Sequence, residues 1–80
     1  MSNEELYVEL NKVFRELFMD DSITVTPQTS AKSIEHWDSF NHINLLLAIE
    51  MHFGITISAN EVENLVNVGD LAAVIERKLS

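Results

Sequence analysis

Trp37-Asp38-Ser39-Phe40-Asn41-His42-Ile43-Asn44-Leu45-Leu46-Leu47-Ala48-Ile49-Glu50-Met51-His52-Phe53-Gly54 is the stretch that decides the fold, because it reads as one helix with a marked start and stop. Asp38 is a good N-cap, whose carboxylate accepts orphan backbone N–H groups of the first turn and leaves Ser39 at the first helical position, its side chain expected to face solvent. Gly54 supplies the left-handed C-cap, so the helix is expected from Asp38 to about Phe53. At about 100° per residue, Leu45, Leu46, Ile49 and Phe53 fall together as core residues do. Phe40, Ile43, Leu47 and Met51 form a second apolar group on the flank nearer Ser39, with Ala48, Asn41, Asn44 and His52 between the two. An all-round apolar helix is either buried by its neighbours or offers one side to a partner. The helix macrodipole favours negative charge at the Ser39 end, a field compatible with a phosphodiester on that hydroxyl.

Upstream, Ser2-Asn3-Glu4-Glu5 fits a capping box, and Leu6, Leu10, Val13, Phe14, Leu17 and Phe18 follow at helical spacing, which predicts a first helix to about Met19. Residues 20–37 contain Pro27 and many Ser and Thr; Ile23-Thr24-Val25-Thr26 is a weak strand signal, and a long ordered loop delivering the chain to Asp38 is the simpler expectation. Downstream, Ser58-Ala59-Asn60-Glu61 is a second capping box opening a short helix that ends near Leu65. Asn67 with Asp70 resembles a further cap, and Leu71, Ala72, Val74, Ile75 and Leu79 supply the last apolar face. The expected architecture is all-α, a small four-helix bundle with three longer helices, one short helix and a long first loop, in one domain spanning 1–80.

Eighty residues bury only about 60–65% of their unfolded surface, so stability should be modest. There is no cysteine, so neither a disulfide nor a Cys-ligated zinc reinforces the core, and the chain has no thiol of its own. Thirteen acidic against five basic residues give a net charge of −8, which disfavours nucleic acid and favours basic protein partners. The polar start and the absence of a long apolar run indicate no signal peptide and no membrane insertion; the expectation is a complete, cytoplasmic and monomeric protein.

The segment from Trp37 to Ile57, WDSFNHINLLLAIEMHFGITI, resembles the attachment helix of acyl carrier proteins, in which an Asp-Ser motif carries 4'-phosphopantetheine. The resemblance covers nearly the whole chain: the amphipathic first helix, the long loop, Ala48-Ile49-Glu50, Phe53-Gly54-Ile55, a short helix, and Asn67-Val68-Gly69-Asp70-Leu71 before the last helix. It implies a non-catalytic carrier with phosphopantetheine from coenzyme A on Ser39, Asp38 as the helix cap beside it, and an acyl thioester presented to partner enzymes. The implied partners are a phosphopantetheinyl transferase, an acyl- or aminoacyl-loading ligase, and acyl-transferring or acyl-modifying enzymes. The corresponding face in that family is rich in acids, whereas here it reads Asn41, Asn44, Glu50, Met51 and His52. The acids Glu4, Glu5, Glu9, Glu16, Asp20, Asp21, Glu61 and Glu63 are therefore expected to steer partners loosely, while a face of Phe40, Ile43, Asn44, Leu47, Glu50 and Met51 binds them. This departure favours a specialised fatty-acid, polyketide or surface-polymer pathway over housekeeping synthesis. Asp38-Ser39-Phe40 followed by Leu45–Glu50 is also similar to D-alanyl carrier proteins, which load an amino acid. The family further implies an acyl cleft, with walls among Leu45, Leu46, Ile49, Val62, Leu65 and Leu71; an ordinary packed core accounts for the same residues.

Other chemistry is weaker. His36, Asp38 and Ser39 are the residue types of a hydrolase triad but lie too close in sequence to form its relay, and no nucleophile elbow is visible. The three histidines lack zinc spacing, and Asp20-Asp21-Ser22 lacks the spaced ligands of a calcium loop, so no metal is expected. Trp37 reads as an anchor for the incoming loop or as a guard for the arm. His42, on the core side near Ser39, is a candidate for pH-dependent loosening of the bundle. A reading of another class is an unmodified acidic helical adaptor that offers the apolar stripe to a partner helix.

Overall fold

Four capped helices account for the regular structure of the computed structural model, which describes residues 2–34, 37–62 and 65–79, with the backbone only of Ser39 and Ala59. They are α1 (Asn3–Phe18), α2 (Ser39–Phe53), α3 (Ala59–Val62) and α4 (Val68–Leu79), and among the described residues there is no strand. The all-α expectation is met, and the weak strand signal at Ile23–Thr26 yields to irregular loop.

Each boundary follows from local chemistry. The Ser2 hydroxyl accepts the Glu5 backbone N–H at 3.2 Å and donates to its carboxylate at 3.0 Å, which closes the first capping box in part through side chains. Met19 ends α1 at φ 53°, ψ 42°, a left-handed conformation that side-chain-bearing residues adopt at a cost. Gly54 ends α2 at φ 66°, where it bears no such cost. At α3 the Glu61 carboxylate accepts the Ser58 N–H at 2.8 Å. Glu61 also meets Lys78 of α4 at 2.7 Å; with the Ser58 N–H, this contact holds its carboxyl down at about 2. Among the described residues α3 spans Ala59–Val62; its expected end near Leu65 depends on Glu63 and Asn64, which lie outside them.

Leu6, Leu10, Val13 and Phe14 of α1, Leu45 and Ile49 of α2, and Val68, Leu71, Ala72 and Ile75 of α4 form one buried core. Leu46 and Phe53 pack at its edge. Leu79, expected on the core face of α4, is instead exposed at the last turn, and Val68 at the first turn takes a buried place. Val25 and Ile34 of the long loop are buried as well. Two polar staples hold that loop: Asn11 Oδ1 accepts the Val25 N–H at 2.7 Å, and the Arg15 guanidinium donates to the Ile23 carbonyl at 2.6 Å. Asp20 forms a turn of its own, accepting from the Ser22 hydroxyl and N–H, which lowers its pKa.

The loop also completes α4. Val68 N–H donates to Thr29 O at 2.7 Å and Gly69 N–H to Pro27 O at 3.0 Å, so donors that α4 cannot satisfy internally find acceptors in the loop. Asn67 Oδ1 takes the Asp70 N–H at 3.0 Å, the cap read at this point in the sequence, and Asp70 Oδ2 takes the Val66 N–H at 3.0 Å.

Candidate functional site at the start of the second helix

Asp38 sits in extended conformation and its Oδ1 accepts the Asn41 N–H at 2.9 Å, while its carbonyl accepts the His42 N–H at 2.8 Å. Ser39 is consequently the first residue of α2, with the cap on its N-terminal side. The expectation that its hydroxyl faces solvent concerns a side chain outside the described structure. His36, the first member of the discounted triad, is likewise outside it.

Trp37 docks the incoming loop. Its ring meets Phe14 edge-on at 5.3 Å and stacks on His42 at 6.1 Å, and its Nε1–H donates to His42 Nδ1 at 3.1 Å. That contact supports the anchor reading and assigns His42: an Nδ1 that accepts leaves the neutral ring's proton on Nε2. Burial lowers the His42 pKa.

A pocket of about 400 Å³ opens beside this pair, lined by Ala31, Trp37, Asp38, His42, the Leu65–Asn67 segment and Leu71. Of the cleft walls suggested by sequence, Leu65 and Leu71 belong to it. Leu45, Leu46, Ile49 and Val62 do not line it. The residues that sequence reasoning missed, Ala31, Val66 and Asn67, come from loops, where no periodicity marks an inward face.

The outer side of α2 is apolar and open. Phe40 is 75% exposed, Ile43 61%, Leu47 53% and Met51 85%, so the helix is not enclosed by its neighbours. It packs chiefly on α1. A stripe of this kind marks an interaction surface more often than chance exposure does. Asn44 is half-buried beside it. Glu50 Oε2 accepts the Ile57 N–H at 2.9 Å, tying the loop after α2 back to the helix. His52 Nε2 lies 2.8 Å from Glu9 Oε1, linking α2 to α1, and Lys12 also meets Glu9 at 3.0 Å. Lys12 first, then His52, lower the Glu9 pKa. Among the described residues no three metal-ligating side chains converge, and no helix is long and apolar enough to cross a membrane.

No protein-family model matches the chain. Individual proteins do. The acyl carrier protein of an Exiguobacterium species is 32% identical over 79 residues, spanning 99% of this chain and 100% of its own length. That of Helicobacter pylori is 31% identical over 71 residues, or 89% of this chain and 91% of its own. The solution structure of holo acyl carrier protein from Geobacter metallireducens superposes with a TM-score of 0.87 at 43% identity, covering 92% of this chain and 85% of that one. With a shared helical fold and this identity along nearly its full length, the chain belongs to the acyl carrier protein family. Acyl carriage is the function that membership assigns.

Proposed function

We propose that Ser39 bears 4'-phosphopantetheine and that the chain presents an attached acyl group to partner enzymes without itself catalysing a reaction. The observation that carries this reading is the capped start of α2: Asp38 holds the first turn through Asn41 N–H and leaves Ser39 at its N-terminal residue. The residues present fit such a group, since the positive end of a fifteen-residue helix favours a phosphodiester and the pocket beside Asp38 offers apolar and polar walls together. When bound, the group supplies the thiol that a cysteine-free chain lacks, and on it the acyl cargo rides as a thioester.

The chain's own residues perform presentation. Asp38 orients the attachment turn, and tethering raises the effective concentration of cargo at a docked enzyme's active site. Phe40, Ile43, Leu47 and Met51, with Asn44 at the border, make the close contact, and the acids of α1 and the following turn steer approach. Glu50 is left to brace the loop. The partners are a phosphopantetheinyl transferase, a loading ligase and acyl-transferring enzymes, met by a cytoplasmic monomer. The low acidity of α2 supports a specialised fatty-acid, polyketide or surface-polymer pathway.

Intact-protein mass after incubation with coenzyme A and a broad-specificity phosphopantetheinyl transferase tests the proposal. One phosphopantetheinyl increment is expected for the parent and none for Ser39→Ala. Failure of the parent with several transferases removes the reading.

A further inference from the structure

A second groove, of about 410 Å³, opens where the first half of α1 meets the last turns of α2 and α4. Its apolar members are Val8 of α1, Phe53 of α2 and Leu79 of α4. Val8 is 54% exposed and Leu79 38%, so the groove presents apolar surface to solvent. Glu4, Glu5 and Glu9 line it too, and no Lys or Arg does. The contacts already made decide which of these charges remain unanswered. Glu9 is taken on both oxygens, by Lys12 at 3.0 Å and by His52 Nε2 at 2.8 Å, which makes it a fixed link between α1 and α2. His52 in turn meets the Phe53 ring edge-on at 5.1 Å. Glu5 Oε1 receives the Ser2 hydroxyl at 3.0 Å but meets no cation, and Glu4 has no partner among the described residues. Both stand one turn before Val8 and therefore on its side of α1. An apolar patch with two unanswered carboxylates beside it is the result.

We infer that this groove docks a basic amphipathic helix of a partner protein, which seats an apolar side chain against Val8, Phe53 and Leu79 and sets Lys or Arg opposite Glu4 and Glu5. Charge complementarity selects this occupant. A second copy of the chain, itself at −8, would bring like charge against the same acids. Among the described residues there is no strand, so an extended peptide finds no sheet edge to pair with, and a helix laid in a groove is the recognition mode left to such a surface. The groove is distinct from the outer stripe of Phe40, Ile43, Leu47 and Met51, none of which lines it. It also lies at the opposite end of α2 from Ser39: fifteen residues at 1.5 Å each separate the two ends by roughly 20 Å. A protein held here leaves the head of α2 open, so the chain can stay tethered to one partner while another works at Ser39. The docking does not depend on modification of Ser39.

Titration of the ¹⁵N-labelled full chain with a synthetic helical peptide, carrying one Leu stripe flanked by Lys and Arg, tests the site by amide shift changes. Saturable shifts are expected at Val8, Glu9, His52, Phe53 and Leu79, and none from a peptide in which Glu replaces the basic residues. Val8→Gln, a change at an exposed position that leaves net charge alone, should weaken binding about five- to tenfold, as loss of a half-exposed valine's burial requires. Leu47→Gln, the matched change on the outer stripe, should leave affinity unaltered. Glu4→Gln combined with Glu5→Gln, which keeps a residue fit for the capping box, should weaken binding about fivefold at low salt. That difference should vanish at 1 M salt, where charges are screened beyond about 3 Å. Shifts centred on Phe40 and Ile43, with Leu47→Gln the damaging variant, would move the peptide to the stripe and overturn the site. So would equal binding of the acidic peptide, affinity undiminished in both groove variants, or an absence of saturable shifts. Shifts of the groove residues on dilution of the chain alone would assign the groove to a second copy and overturn the proposal as well.

Discussion

Gly69→Ala should destabilise the protein although it places a better helix former in α4. Propensity alone favours Ala by up to about 1 kcal/mol in a helix interior, and by less in the first turn, where Gly69 lies. The opposing effect is steric. A Cβ at residue 69 would stand 2.9 Å from the carbonyl oxygen of Pro27, 3.1 Å from Asn67 Oδ1 and 3.4 Å from the Pro27 Cβ. The nearest of these is backbone, so relief requires the loop itself to move. That movement lengthens the Gly69 N–H···O Pro27 bond, now 3.0 Å, and disturbs the neighbouring bond from Val68 to Thr29. Overpacking of this kind costs about 1–3 kcal/mol, and a weakened hydrogen bond about 0.5–1.5 kcal/mol. After a propensity gain of up to about 1 kcal/mol is subtracted, the net loss is about 0.5–4.5 kcal/mol. For a domain of this size each kcal/mol lowers Tm by about 4–8 °C, a change easily read by circular dichroism at fixed pH and salt. An unchanged or raised Tm for Gly69→Ala would refute the claim that close approach of the loop dictates glycine here.

Asp38→Ala removes the acceptor of the Asn41 N–H and should cost about 1 kcal/mol, measured as a lower urea midpoint; an unaltered midpoint contradicts the capping role. His42 has its pKa depressed below the ordinary 6.5 by burial, so the unfolded chain takes up the proton first. Stability should be full above 6.5 and fall as pH drops from there through the folded-state value, and His42→Gln should flatten that slope in a series of melting curves. Leu47→Glu, at a half-exposed position on the outer stripe, should leave Tm and Ser39 modification nearly unchanged while acyl transfer to partner enzymes drops, as followed by gel shift or mass; normal transfer would remove the stripe from docking.

Much of this molecule is legible because its helix ends are written in side chains. Ser2, Asp38, Gly54, Ser58 with Glu61, and Asn67 with Asp70 mark boundaries by chemistry that acts over three or four residues, a distance at which sequence suffices. The two sides of α2 were also readable from period alone, though period cannot say which apolar side is covered; the exposure of Phe40 and Met51 answers that. What escaped has long-range causes. Val25 is buried where Asn11 and Arg15 hold residues 23 and 25 against α1, Ile34 is buried further along the loop, and a loop has no repeat that would mark them. Glu50 looks like a surface acid until the Ile57 N–H is found on it, seven residues away through a turn. Leu79 fits the apolar spacing of α4 but comes after the core has ended. The pocket near Ser39 is assembled from separate segments, so its walls are not contiguous with one another in sequence.

The two bonds that join residues 27 and 29 to the start of α4 have a topological consequence. They pin the chain together at points on either side of α2, so that residues 30–67 form an excursion closed at its base. Helix α2 is the middle of that excursion and contributes Leu45 and Ile49 to the core. With the arm proposed on Ser39, the chain is pulled on at that one residue each time an enzyme takes hold of it. Such a pull would enter at the head of α2, which meets α1 through Trp37 and Phe14 and is bracketed by the loop-to-α4 bonds at the closed base.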